Sequence, residues 1–176
     1  MDSPAPILAR RAIGAMFFTV FGAAWLILWS QRTYGIRSLI IALIVLAAAA
    51  IFSLAYRRYK DNYVEEAETP ERQRANKIFN IVNVTQWVAI LVVGNVLANI
   101  GLGVWVLPAA ILIIGLHFFP LAKAFGNPTL NLTGGAMVLL AIVYPFVAPN
   151  GPANTVGCLG SGLILWASAL RSIVQR

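Results

Sequence analysis

The stretch from Ile78 to Ala122, IFNIVNVTQWVAILVVGNVLANIGLGVWVLPAAILIIGLHFFPLA, runs 45 residues without a Lys, Arg, Asp or Glu. The hydrocarbon core of a bilayer is about 30 Å thick and a helix rises about 1.5 Å per residue, so about 20 apolar residues make one crossing. The stretch therefore holds two crossings. Ile100-Gly101-Leu102-Gly103 near its middle supplies the turn between them.

Working outward, the chain from Ala124 to Leu170 is equally free of charge and divides at Pro149-Asn150-Gly151-Pro152 into two more crossings. Toward the N-terminus, Arg11 and Arg32 bracket one run of spanning length and Arg37 and Arg57 bracket another. Six spans result, at about 12–31, 37–56, 77–100, 104–123, 128–148 and 153–172, with a loop at 57–76. The expected fold is all-α: one transmembrane domain, residues 1–176, built as a bundle of six helices.

Composition agrees. The chain is 60% hydrophobic and 11% charged, with a mean hydropathy of +0.80. An ordinary soluble domain is roughly 45–50% apolar and 25% charged. A membrane β-barrel needs short segments of alternating polarity, whereas Leu39 to Leu54 is apolar on every side. The first span runs into Gln31-Arg32 with no small-residue cleavage site, so it reads as a retained helix and not as a removed signal. Cys158 is the single cysteine, which excludes an intrachain disulfide and a cysteine-cluster metal site.

Orientation follows from where the cations fall. One side of the spans collects Arg10, Arg11, Arg57, Arg58, Lys60, Arg72, Arg74, Lys77, Lys123, Arg171 and Arg176, and the other only Arg32 and Arg37. This places both termini and the loop after the second helix in the cytoplasm of a cell whose plasma membrane holds the chain. The net charge of +7 is interrupted by Glu65, Glu66, Glu68 and Glu71 and flanks spans, so membrane lipids are the expected partner and nucleic acid is not.

Local signals mark helix starts. Thr69-Pro70-Glu71 offers an N-cap, a first-turn proline and a first-turn acid, so the third helix begins below the membrane, and Asn127-Pro128 repeats the cap and proline for the fifth. The two halves share no pattern that marks an internal repeat. Gly157, Gly160, Ser161 and Gly162 form a small-residue face on the sixth helix, suited to packing within the chain or to a homodimer.

Hydrocarbon offers no hydrogen bonds, so polar side chains within spans turn toward other helices or a cavity. His117, the sole histidine, lies about 9 Å inside Lys123 along its helix. Asn83 and Gln86 lie about 9 and 13 Å above Lys77 on the third helix, at the same depth. Asn76, Asn80, Asn83 and Gln86 form one stripe at helical spacing. Pro120 cannot donate to the carbonyl of Leu116, which leaves a polar acceptor beside His117.

The expected ligand-binding set is His117, Asn83, Gln86, Asn80 and Trp87, with Asn131 and Thr133 near it. The same residues also suit simple interhelical hydrogen bonding, each bond worth about 0.6 kcal/mol. Asn95 and Asn99 point elsewhere and are expected to make separate helix contacts near the outer face. Trp29 and Trp105 read as interfacial anchors, and Trp166, like Trp87, as a residue that lines the cavity. The spans supply one histidine and no carboxylate for it to work against, so neither catalysis nor a metal site nor a cofactor is expected.

Phe21-Gly22-x-x-Trp25, Gln86-Trp87 and Gly115-Leu116-His117-Phe118-x-Pro120-Leu121-Ala122 carry a resemblance. Over nearly its whole length the chain resembles a loose group of small bacterial inner-membrane proteins of unassigned function that share a Gly-Leu-His-Phe-x-Pro-Leu-Ala stretch. The resemblance implies a six-helix inner-membrane protein and no particular activity. Two functions stand open: a protein that binds or passes a small molecule through a polar pocket in the cytoplasmic half, and a non-transporting interaction protein or accessory subunit.

Overall fold

The computed structural model describes residues 5–35, 39–64 and 69–175. Its helices run in the order α1 (Ala5–Tyr34), α2 (Leu39–Asn62), α3 (Pro70–Asn99), α4 (Val106–Ala124), α5 (Thr129–Val147) and α6 (Val156–Val174). Single 3-10 turns at Gly103–Trp105 and Gly151–Ala153 precede α4 and α6. Among the described residues, all six helices are long and apolar enough to cross a membrane. The all-α, six-helix fold read from the sequence is thus what the chain adopts.

Two helices are longer than a bilayer requires. α1 and α3 have 30 residues each, about 45 Å of helix against about 30 Å of hydrocarbon. α1 begins at Ala5, well before the span expected from Arg11 onward, because a helix satisfies its own backbone and continues as easily into the headgroup layer. Glu65, Glu66 and Glu68 of the expected 57–76 loop lie outside the described residues.

Helix ends follow the local chemistry. Thr69 Oγ1 accepts from the backbone N–H of Arg72 at 3.3 Å, with Pro70 opening α3. Asn127 Oδ1 accepts from the N–H of Thr129 at 3.2 Å, and Asn154 Oδ1 from that of Val156 at 2.8 Å, capping α5 and α6. At the C-terminus of α3, the Leu102 N–H reaches the Leu97 carbonyl and the Gly101 N–H the Ala98 carbonyl, with Gly101 at φ +79°. The same pair of bonds closes α4 around Gly126, and this glycine-centred cap is what lets both loops be so short.

The contacts divide the chain into two units, Met1–Ala67 with Cys158–Arg176, and Glu68–Gly157. In the first, α1 buries a stripe of mostly small residues, Ala9, Ala12, Ala15, Thr19, Gly22, Ala23 and Ser30 among them. Ala23, Leu26 and Ile44 join Leu159 and Trp166 where the three helices of this unit meet. Thr19 meets Trp166 and Leu26 meets Gly162, so α1 and α6 run antiparallel. Arg58 Nη2 donates to the carbonyl of Gln175 at 2.6 Å, which puts the C-terminal ends of α2 and α6 together. The start of α1 and the end of α6 therefore lie at one end of this unit.

In the second unit, Phe79 packs on Phe125 and Gly94 on Val106, so α3 and α4 are antiparallel. α4 and α5 cross at Gly115 and Gly134 and reverse direction again. Tyr144, almost wholly buried, sends its hydroxyl to the Pro152 carbonyl and sets its ring against Gly157. Lys77 and Lys123 consequently share one end of this unit.

Candidate functional site

α4 has two working faces. Pro108, Ile111, Gly115, Phe118 and Ala122 are buried, and Gly115 and Phe118 lie against Gly134 of α5. His117 is on neither of these positions. At about 100° per residue it falls about 20° around the helix from Val106, whose side chain meets Gly94 of α3. The imidazole is thus carried on the side of α4 that faces α3.

The same projection on α3 puts Asn83 about 20° from Gly94, which meets Val106, and Gln86 about 20° from Phe79, which packs on Phe125 at the end of α4. The register set by those contacts brings Gln86 level with the Leu116–His117 step of α4. Gln86 and His117 therefore share one layer of this unit, and the same register sets Asn83 about one helical turn nearer the Lys77 end, level with Pro120.

Their hydrogen bonding differs. His117 Nδ1 donates to the carbonyl of Ile114 in its own helix, and the ring lies 4.1 Å from that of Phe118, centre to centre. In the neutral ring a donating Nδ1 leaves Nε2 as an acceptor. Gln86 Oε1 is buried and has no hydrogen-bond partner among the described residues. Asn83 is half-buried.

Asn80 is exposed, and Trp87 is 55% exposed, so both stand at the edge of this layer. Asn131 is exposed, while Thr133 is buried with its hydroxyl directed at the Thr129 carbonyl. Trp166 was expected to line the same cavity. It belongs to the other unit, where its indole N–H donates to the Thr19 carbonyl at 3.0 Å over Gly22. Asn95 and Asn99 also depart from expectation: each is exposed and donates to the carbonyl four residues earlier in α3. A backbone acceptor one turn away satisfies an amide that lipid cannot, with no second helix required.

The small residues of α6 receive side chains of the chain itself, Tyr144 at Gly157 and Leu26 at Gly162. Among the described residues no three His, Cys, Asp or Glu side chains gather as a metal set. The concavity that sequence reading missed is on α2, lined by Phe52, Ser53, Tyr56, Arg57, Lys60 and Asp61. Its signal was present as two rows at i, i+4, i+8 spacing.

Comparison with known protein families, with curated proteins and with solved structures finds no match to this chain.

Proposed function

We propose that the chain is a multi-pass protein of a bacterial inner membrane, with both termini cytoplasmic, that binds or passes a small molecule through a polar site between α3 and α4. It is not an enzyme. The observation that carries the reading is Gln86 Oε1, a buried acceptor left without a partner among the described residues, at the level of His117. Leaving such an atom unpaired costs about 1–3 kcal/mol, and a ligand that supplies the donor removes that cost. With His117 Nε2 also an acceptor, the ligand carries N–H or O–H donors. Asn83, able both to donate and to accept, orients it, and Asn80 and Trp87 border its path.

The cytoplasmic placement of the termini rests on the cation count at span ends, and the bacterial inner membrane on the resemblance carried by the His117 motif. Thiol labelling tests the site directly. In a Cys158→Ala background, Asn83→Cys and Gln86→Cys should react with a small water-soluble maleimide, and Val84→Cys, on the 63% exposed lipid side, should not. Equal silence at all three positions would leave the amides as packing groups only.

A second reading, an interaction protein or accessory subunit, draws on α3, which buries no residue along its 30-residue length. It predicts a partner retained by mild crosslinking in native membranes.

A further inference from the structure

The groove on α2 is an open depression of about 430 Å³ on the surface of that helix, lined in sequence order by Phe52, Ser53, Tyr56, Arg57, Lys60 and Asp61. From Phe52 to Asp61 the helix rises about 13 Å. A bilayer's polar layer adds about 5–8 Å to each side of its hydrocarbon core, so this segment reaches from acyl chains through the headgroups into water. The chemistry changes in the same order: an aromatic ring, a hydroxyl, a phenol, two cations and a carboxylate. Phe52 and Tyr56 are both well exposed, so the apolar floor is open to an acyl chain.

Arg57 and Asp61 stand one helical turn apart, the spacing at which opposite charges pair along a helix. Yet among the described residues no ion pair joins Arg57, Lys60 or Asp61 to a partner. Two cations with a carboxylate one step farther from the membrane match a phosphate followed by an ammonium. A purely anionic headgroup leaves Asp61 repelled, and a quaternary ammonium has no N–H to offer it.

We infer that this groove is a binding site for an aminophospholipid of the phosphatidylethanolamine type, its phosphate on Arg57 and Lys60, its primary ammonium on Asp61 and an acyl chain along Phe52 and Tyr56.

The test is native mass spectrometry of the full-length protein in detergent, titrated separately with dioleoyl phosphatidylethanolamine, phosphatidylcholine and phosphatidylglycerol. The ethanolamine lipid should give the most adduct. Arg57→Gln with Lys60→Gln should weaken it about 30-fold, from the usual worth of two headgroup cations. Asp61→Asn should erase the preference for ethanolamine over choline, and Lys123→Gln should change nothing. Ser53→Trp, which fills the groove and keeps every charge, should remove the adduct if the double variant fails to fold. Millimolar inorganic phosphate should not displace the lipid. Equal adducts from all three lipids, strongest binding of the glycerol lipid, displacement by phosphate, or equal losses from Lys123→Gln and the double variant would each overturn the inference.

Discussion

Gly134 of α5 lies directly over the carbonyl oxygen of Gly115 in α4: a Cβ added to Gly134 would stand 2.8 Å from that oxygen and 3.1 Å from Phe118 Cβ. Backbone touches backbone here, so nothing flexible can move aside. Because hydrocarbon gives helices no hydrophobic reason to associate, close van der Waals approach of this kind is a main source of their adhesion.

Gly134→Ala should therefore lower stability by about 1–3 kcal/mol, the usual cost of overpacking. Gly115→Ala, whose Cβ meets the Val138 backbone N at 2.9 Å, should do the same. Gly135→Ala is the internal control, since nothing lies within 4 Å of its Cβ. Its melting temperature in detergent should match the wild type or exceed it slightly, as alanine is the better helix former.

The α1–α6 contact predicts coupling. A Cβ on Gly22 would run into the Trp166 ring, and the rigid indole is held in place by its bond to the Thr19 carbonyl. Gly22→Ala should destabilise the wild type by about 1–3 kcal/mol but cost less in a Trp166→Ala background, where the ring is gone. Strictly additive melting shifts in the double variant would mean that the two residues do not meet.

Asn154 performs two tasks at once, capping α6 through Oδ1 and holding the Pro149 carbonyl through Nδ2 at 2.6 Å. Asn154→Ala should cost about 1 kcal/mol and speed amide exchange in the first turn of α6. Asn154→Asp keeps the cap but not the donor, and should fall between alanine and wild type.

The spans were legible because charge is intolerable in hydrocarbon: the intervals between Arg11, Arg32, Arg37, Arg57, Lys77 and Lys123 bound the first four crossings almost by themselves. Thr69-Pro70 and Asn127-Pro128 were legible because capping is local chemistry. Neighbourhood was not. Nothing in the sequence couples Gly22 to Gly162 or Thr19 to Trp166, since a small residue shows that something approaches closely but not what. The depth of Gln86 against His117 followed from rise per residue alone, whereas the sides of α3 and α4 that carry them required the Gly94–Val106 and Phe79–Phe125 contacts. Asn95 and Asn99 misled because a helix can absorb its own amides.

Gln86 sets stability against function. Its Oε1 is buried and unpaired, so the folded chain carries a desolvation cost of about 1–3 kcal/mol at that atom. Gln86→Leu keeps a comparable volume and removes the orphan, and in a chain of this size each kcal/mol gained raises the melting temperature by about 2–4 °C. The same change removes an acceptor that the proposed ligand needs, so maleimide reaction at Asn83→Cys should fall as the layer dries. Stability gained while access is lost is the pattern of a residue retained for function. A lower melting temperature for Gln86→Leu would instead mean that Gln86 is hydrogen-bonded in the membrane, and the case for a ligand at that level would end there.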